Sequence, residues 1–366
     1  MTEKKTPAST TVLAWMPIGV MAVVAGVDLL AGPEIGFLPL VSLGPAFAGL
    51  VGGWRRTAII GLAALLLCLA LGAYDGLLEG RRAVTAMASV AGVTCAGVAA
   101  AVMRGRREAE LASVRSIAEV AQRVLLRPVP RTAGPLHAAV SYTSAVADAR
   151  IGGDLYEVVA SPHGVRVIVG DVQGKGLAAV ETAAVVLGAF REAAHDEPEL
   201  AGVGARLERS ITRELVGERF VTAVLAEVRS GHEVVFLNHG HPAPLLVHRD
   251  GTAEFPEPPA RALPLGLGAH GVEPPHPYRV GFRPGDQLLL YTDGVTEARD
   301  IAGAFYPLEE RAHLLKDPDA RSALDALRED VVRHCGGPPR DDAAMLLLRY
   351  HRHGWSGEAP APAPAR

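Results

Sequence analysis

The distribution of charge along the chain constrains its fold more than any other feature of the sequence. From Val12 to Met103, charged residues occur only singly or in short clusters. Four apolar runs lie between them: residues 12–31, 35–53, 57–74 and 83–103. A helix needs roughly 20 apolar residues to cross the hydrocarbon core of a bilayer, and each run is close to that length. We therefore predict four transmembrane helices, with residues 1–103 forming an anchor or a sensor.

Basic residues beside these runs predict the orientation of the anchor, because positively charged loops tend to remain in the cytoplasm. One group would share a side of the membrane: Lys4, Lys5, Arg55, Arg56, Arg104, Arg106 and Arg107. Only Arg81 and Arg82 fall on the other side. We expect a multi-pass protein of the bacterial cell membrane whose two ends and C-terminal soluble domain are cytoplasmic. Asp28 and Glu34 lie near the predicted outer boundary, which favours an anchor or sensor over a transport site.

Residues 104–127 predict a helix that connects the last apolar run to the soluble part of the chain. No proline interrupts this segment. Its apolar residues recur at alternating spacings of three and four: Leu111, Val114, Ala118, Ala121 and Leu125. Such a spacing is typical of the a and d positions of a coiled coil. Two interpretations stay open, namely a short coiled coil that joins two copies of the chain, or a stripe that packs on the following domain.

The remainder, residues 128–351, alternates between strand-like and helix-like stretches. Predicted strands are apolar or β-branched runs bounded by turn residues: 137–145, 164–172, 220–228, 232–238, 286–293 and 343–350. Predicted helices cover 176–194, 199–216 and 322–335. Because most strands are consecutive and the long helices come in pairs, we predict an α+β fold of packed sheets with helices outside. The Pro- and Ala-rich residues 352–366 predict a disordered tail.

The composition excludes some classes of function. A formal net charge of -4 argues against a large nucleic-acid interface, which would be mostly cationic. Few of the 36 basic residues are lysine, and with 40 Gly and 27 Pro this bias is typical of a GC-rich bacterial genome. Neither a GxSxG elbow nor a Walker-type GxxxxGK[ST] loop occurs, which argues against acyl transfer and nucleotide hydrolysis.

Aspartates recur at one kind of place, the polar end of an apolar strand or the turn beside it: Asp154, Asp171, Asp293, Asp341 and Asp342. A carboxylate in such a position is costly to bury alone. Several carboxylates without matching His or Cys clusters suit Mg²⁺ or Mn²⁺, which take oxygen ligands and keep several waters. Two such ions roughly 4 Å apart can activate a water towards a phosphorus atom.

With these motifs in place, the chain resembles the type 2C (metal-dependent) protein phosphatase superfamily, in its bacterial SpoIIE/RsbU branch. The resemblance extends in order over nearly all of residues 125–350. Its segments are LLRP, IGGDLYEV, VGDVQGKGLAA, FVTAVLAEV, LNHGHPAPLLV, LPLGLG, LLLYTDGVTEA and RDDAAMLLL. A single GGD or DG motif would be weak evidence for the resemblance, whereas eight segments in family order are strong evidence.

The resemblance implies a β-sandwich flanked by helices, with two Mn²⁺ or Mg²⁺ ions in a cleft at one end. Asp154, Asp171 and the Val172 carbonyl would hold one ion. Asp293 and Asp341 would hold the other. Asp342 is the alternative at that last position, and Gly153 and Gly294 would permit tight backbone beside the ligands.

The function that the resemblance implies is a phosphoserine/phosphothreonine protein phosphatase in which a water bridging the two ions attacks phosphorus directly. The expected substrate is a phosphorylated regulatory protein, such as a STAS-type anti-sigma-factor antagonist. The alternative is a membrane sensor whose phosphatase-like domain only binds a partner, although all the acidic positions are intact. A nucleotide cyclase is disfavoured because Leu155 and Tyr156 follow GGD where an acidic residue and Phe would be needed.

Two positions depart from the family pattern, and two others invite another interpretation. Glu157 stands where the branch often has Asp, which weakens a metal role there. Lys175 stands where some relatives carry His, so a histidine general acid in that loop is not expected. His239 and His241 suggest catalysis or zinc, but the resemblance implies a structural hairpin.

Overall fold

The computed structural model describes residues 7–31, 37–74, 81–143, 152–214, 219–229, 231–268 and 273–351. Lys4, Lys5, Glu34 and the tail 352–366, about which the sequence made predictions, lie outside the described residues. The chain divides into two compact units, Thr2–Ser113 and Val114–Arg366. The boundary falls inside one continuous helix, and each unit is described by itself.

The N-terminal unit is helical. Its elements are α1 (Pro7–Ala31), a 3-10 helix (Leu38–Ser42), α2 (Leu43–Val51), α3 (Trp54–Tyr74) and the first part of α4 (Arg81–Leu125). Among the described residues, three helices have the length and hydropathy to cross a membrane: Leu13–Leu30, Trp54–Tyr74 and Val84–Val114. The prediction of four such helices was therefore wrong for the second run. There Pro39 starts a 3-10 turn, and the nine-residue α2 rises only about 14 Å.

Contacts within this unit show what the second run does instead. Asp28, near the end of α1, is buried and its Oδ1 accepts a hydrogen bond from the Phe37 backbone N–H at 3.1 Å. At the other end of α1, the Ala14 carbonyl accepts a hydrogen bond from Arg56 of α3. The segment from Phe37 to α2 therefore leads the chain back from the end of α1 towards the region where α1 begins.

The C-terminal unit contains two antiparallel sheets. The first has the strand order β1 (Thr132–Ala133), β2 (Leu136–Thr143), β11 (Ala343–Tyr350), β10 (Gln287–Tyr291), β7 (Leu245–Val247) and β8 (Ala253–Glu254). The second has the order β3 (Asp154–Ser161), β4 (Gly164–Val172), β5 (Val221–Val228), β6 (Glu233–His239) and β9 (Tyr278–Gly281). All neighbouring strands pair antiparallel.

Alternation along the strands builds a layered core. In β4, Val165, Val167 and Val169 belong to the cluster between the two sheets. Ile168 and Val172 point the other way, into the cluster formed with the helices. Helices α5 (Leu177–Asp196) and α6 (Leu200–Glu214) cover the second sheet; α8 (Ala320–Cys335) and the 3-10 helix Glu309–Lys316 cover the first. The predicted α+β sandwich flanked by helices is confirmed.

The predicted strands are all present, but several observed strands were missed. Of these, β3 matters most because it begins at Asp154, a residue that the sequence placed in a turn. The others, β1, β7, β8 and β9, have two to four residues each. Strands this short depend on pairing with a distant partner, which local pattern does not reveal.

Candidate metal centre

The predicted ligands come together where one end of each sheet meets the other. Asp154 opens β3 and lies opposite Asp171 of β4 in the antiparallel register. Asp293 follows β10 and begins the single turn α7 (Asp293–Thr296). Asp341 precedes β11, whose first residues pair with the end of β10. Two paired strands, the turn after β10 and the segment before β11 thus bring four carboxylates together.

The half of the centre on the second sheet is buried. Asp154 is only 4% exposed, and burial, followed by the charge of Asp171, raises its pKa well above the usual range. Burial, followed by the charges of Asp293 and Asp341, raises the pKa of Asp171 to about 7. The carboxylates are therefore close enough to repel one another, which is the condition that a divalent cation relieves.

Thr292 joins the two sheets at this point, and sequence reasoning missed it. Its Oγ1 donates a hydrogen bond of 2.8 Å to Asp154 Oδ2 and accepts one of 2.9 Å from the Ala344 backbone N–H. The residue is fully buried. It stands directly before Asp293 in the YTDG segment, so its position beside a predicted ligand was the available signal. Thr292 holds Asp154 in register with β11.

The half on the first sheet is more open. Asp341 has a side chain 55% exposed and pairs with Lys175 from the loop after β4. Burial alone would lower the pKa of Lys175, but the hydrogen bond and charge of Asp341 raise it overall. Burial, with Glu297 and Asp341 nearby, also raises the pKa of Asp293. The lysine found in place of a family histidine thus neutralises a predicted metal ligand.

Asp342 differs from its neighbour Asp341. It is 3% exposed and lies against the turn before β3, where a Cβ on Gly152 would come within 1.7 Å of Asp342 Oδ2. Its backbone carbonyl lies 1.8 Å from the place that a Cβ on Gly294 would take. Glycine at these positions is therefore required by close approach, as predicted for Gly294. Asp342 is therefore buried between the turn before β3 and the start of α7.

The donor set fits Mg²⁺ or Mn²⁺ better than a cation that needs a full cage of side chains. A Cβ on Gly153 would lie 2.3 Å from the Val172 carbonyl oxygen, so only glycine leaves that oxygen accessible beside Asp154. Among the described residues, no three His, Cys, Asp or Glu side chains gather tightly enough to enclose an ion alone. Ions that take one or two carboxylates and keep several waters match this arrangement.

Glu157 lies outside the acidic cluster. Its Oε2 accepts a hydrogen bond of 2.6 Å from Arg191 Nε on α5. Arg191 also donates to the Leu125 carbonyl at the end of α4 at 2.8 Å. Glu157 therefore joins β3 to α5 and to the end of the connecting helix.

The two histidines are buried, and both ring nitrogens of His241 lie within hydrogen-bond distance of a partner. His241 Nε2 lies 2.9 Å from the Tyr291 carbonyl and Nδ1 lies 3.0 Å from Thr222 Oγ1. A carbonyl only accepts, so Nε2 carries the proton and Nδ1 accepts from the Thr222 hydroxyl. Burial lowers the pKa of His241 and of His239 to about 4, which keeps both rings neutral. His241 links β5, opposite Asp171, to the strand that leads into Asp293.

The connecting helix reaches the cleft with its last turn. Gln122 Nε2 donates to Tyr142 Oη at 2.9 Å and to the Gly152 carbonyl at 3.3 Å. Ala121 and Leu125 pack against Val180 of α5. The end of the predicted apolar seam thus packs on the following domain.

A cavity of about 440 Å³ opens beside the acidic residues. Asp171 and Asp293 line it together with His241, and residues of the segment 257–262 complete the wall. A space of this size next to the cluster can admit a side chain that carries a phosphoryl group.

A family model for Stage II sporulation protein E (SpoIIE) matches residues 161–351. The chain belongs to the SpoIIE family. This confirms the family predicted from the eight ordered segments. The match includes Asp171, Asp293 and Asp341, whereas Asp154 lies just before it.

Individual relatives agree with membership of the SpoIIE family. Over 259 residues the chain is 24% identical to phosphoserine phosphatase RsbU of Bacillus subtilis, covering 68% of this chain and 72% of that protein. A crystal structure of RsbU and RsbW domains from Mycobacterium tuberculosis is 26% identical with a TM-score of 0.52, covering 62% of this chain and 64% of that one. The SiaA-PP2C domain of Pseudomonas aeruginosa shares the fold, with 18% identity, a TM-score of 0.56 and coverage of 67% and 98%.

Proposed function

We propose that this chain is a metal-dependent phosphatase that hydrolyses phosphoserine or phosphothreonine in a partner protein. The observation that carries the proposal is that Asp171 and Asp293, which come from different sheets, line one cavity, with Asp154 paired opposite Asp171 and Asp341 close to both. Membership of the SpoIIE family and similarity to a protein named phosphoserine phosphatase support the same reaction.

Each residue has a proposed role at the centre. Asp154, Asp171 and the Val172 carbonyl hold one Mn²⁺ or Mg²⁺ ion, and Asp293 and Asp341 hold a second. Bound there, the two ions would make a water nucleophilic and offset the charge of the phosphoryl group. Thr292 orients Asp154, and His241 fixes the position of Asp171 relative to Asp293. Asp341 must leave Lys175, or share its carboxylate, when it takes up this role.

Hydrolysis assays on the full-length chain in detergent micelles test the proposal. We expect p-nitrophenyl phosphate and a phosphoserine peptide to be hydrolysed with Mn²⁺ and not with excess chelator. A partner-binding protein without catalysis would release no phosphate under either condition, and that outcome would refute the proposal. Substrate proteins can then be sought among small phosphorylated regulators, with a STAS-type anti-sigma-factor antagonist as the first candidate.

The proposed location is the bacterial cell membrane, with the catalytic domain in the cytoplasm. Three apolar helices are long enough to cross, and the short segment from Leu38 to Val51 returns the chain towards the start of α1. That return supports an even number of passages, of which three are full-length helices in the part of the chain that the structure describes. Arg55, Arg56 and Arg104 then share the cytoplasmic side.

Reporter fusions test this orientation. A cytoplasmic reporter placed after Arg107 should be active, and the same reporter inserted into residues 75–80 should be inactive. The opposite pair of results would exclude the proposed orientation, and a reporter at the N-terminus distinguishes an even from an odd number of passages.

A further inference from the structure

The cavity beside the acidic residues is bounded by a proline-rich segment that the proposed reaction has not yet used. This segment, residues 256–264, contains prolines at positions 256, 258, 259 and 264. Its residues Glu257, Pro258, Arg261 and Ala262 line the same cavity as Asp171 and Asp293. Side chains on this segment therefore face the space that a substrate would occupy.

The segment is held at both ends. Tyr278 donates its hydroxyl hydrogen bond to the Pro256 carbonyl at 3.0 Å. Leu265, directly after the segment, exchanges two backbone hydrogen bonds of 2.9 Å with Val221 at the start of β5. Proline also fixes φ and lowers the entropy that a loop loses on ordering. Arg261 is thus presented from a pre-organised loop.

Arg261 is the cationic residue among those that line the cavity, since His241 is neutral and both its ring nitrogens are engaged. Its side chain is exposed and, within the described part of the chain, makes no hydrogen bond or ion pair. Lys175, the other cation near the cluster, is instead occupied by Asp341. An arginine left without an internal partner beside a carboxylate-lined cavity is available for a ligand that brings its own negative charge.

We propose that Arg261 binds the phosphoryl group of the substrate and holds it against the acidic centre. This inference rests on the proposed phosphatase function and adds a residue that fixes the substrate. A guanidinium presents N–H donors in a planar fork that matches two phosphoryl oxygens, whereas an ammonium acts as a point charge. Arg261 contributes to ground-state binding of every phosphate ester, whatever protein carries it.

The experiment compares Arg261→Ala and Arg261→Lys with the parent, using full-length protein in detergent micelles. Arg279→Ala is the matched control, because Arg279 is an exposed arginine on β9 that lies outside the cavity and pairs with Glu233 at 3.6 Å. Activity on p-nitrophenyl phosphate gives KM, kcat and the Mn²⁺ requirement. Equilibrium binding is measured separately by fluorescence anisotropy of a labelled peptide that carries non-hydrolysable phosphonomethylalanine.

For Arg261→Ala we expect KM and the peptide Kd each to rise at least about tenfold, because the charge-assisted hydrogen bonds to the phosphoryl oxygens are lost. Turnover at saturation and the Mn²⁺ requirement should change less than about threefold. Arg261→Lys should lie between Ala and the parent, and Arg279→Ala should equal the parent.

KM and Kd of Arg261→Ala within twofold of the parent would overturn the inference. A defect seen only with a whole protein substrate would also overturn it, because Arg261 would then contact the carrier and not the phosphoryl group. Parent protein that hydrolyses nothing with Mn²⁺ would instead refute the proposed function, so the two failures are distinguishable.

Discussion

The two halves of the candidate centre differ in how firmly the fold holds them. Asp154 and Asp171 lie opposite each other on paired strands, and Asp154 is 4% exposed and tied to Thr292. Asp341 stands on a loop, with a side chain 55% exposed that is held by Lys175. One half is part of the sheet itself, whereas the other can change partners. The first should therefore bind its ion in a prebuilt site, and the second should respond more to its surroundings.

We expect the largest effect on turnover when a ligand is removed from either half. Asp171→Asn and Asp293→Asn should each lower turnover at least tenfold, because each loses a ligand charge and the activation that it supports. Circular dichroism should match the parent in both variants, since neither change removes a core contact. A Mn²⁺ titration compares the two halves directly. Extra Mn²⁺ should restore part of the activity of Asp293→Asn and little of the activity of Asp171→Asn.

Turnover above about a tenth of the parent in both variants would contradict the assignment of these residues as ligands. If extra Mn²⁺ restored both variants equally, the assignment of the ligands would stand, but the proposed difference between the two halves would be refuted.

The next largest effect separates Asp341 from Asp342. Asp341→Ala should lower activity about tenfold or more and leave stability near that of the parent, because the side chain is exposed. Asp342→Ala should lower the free energy of unfolding by about 1–3 kcal/mol, because a buried hydrogen-bonding group is lost. Chemical denaturation of both variants, next to their kinetics, measures the two quantities. If Asp342→Ala were stable and inactive while Asp341→Ala was active, Asp342 would be the ligand.

The sequence could predict the sheets that carry the site because their strands are long and apolar. The runs at 164–172 and 343–350 match β4 and β11 to the residue. Strand β3 was missed because Gly152, Gly153 and Asp154 look locally like a turn. Pairing with β4 along its whole length, from Asp154 opposite Asp171 to Ser161 opposite Gly164, makes this segment a strand.

Other features depend on contacts between residues that are distant in sequence, so the local sequence pattern could not predict them. Thr292 acquires its role only when β3 and β11 approach each other, and Arg261 acquires its position from a bridge between Leu265 and Val221. The second apolar run has the composition of a span, yet Pro39 and the short α2 prevent a full-length helix. The composition of a segment shows how apolar it is, but the segment crosses a membrane as a helix only if that helix is not interrupted.

A smaller effect tests the bond that joins the two halves. Thr292→Val keeps the shape of the side chain but leaves Asp154 Oδ2 and the Ala344 N–H without this partner. We expect a loss of about 1–3 kcal/mol in the free energy of unfolding and a several-fold higher Mn²⁺ requirement. Thr292→Ser retains the hydroxyl and should restore both quantities to within about twofold of the parent. If Thr292→Val and Thr292→Ser behaved alike, the Thr292 hydroxyl would have no role in joining the two halves.

The smallest expected effect concerns the connecting helix, where the seam also has two halves. Its C-terminal end packs on the domain through Ala121 and Leu125, and Gln122 reaches the Gly152 carbonyl next to the cleft. Upstream, apolar side chains are exposed along α4: Leu111, Val114, Ile117 and Val120. We propose that a second copy of the chain covers this upstream part, and that its packing sets the position of Gln122.

The test changes Leu111 and Val114 together to Ser in the full-length chain in detergent. We expect weaker dimerisation and a change of about two- to fivefold in turnover or in the Mn²⁺ requirement. The expected change is small because a short seam can bias two arrangements by only about 1 kcal/mol. Glu110→Ser, on the same helix but outside the apolar stripe, is the matched control and should behave as the parent. Gln122→Ala should reproduce the change in activity without the change in oligomeric state, since it breaks only the contact with Gly152 and Tyr142. If the double variant kept its activity, metal requirement and oligomeric state, the helix would be a passive spacer, and the exposed half of the cleft would have to be adjusted by something other than α4.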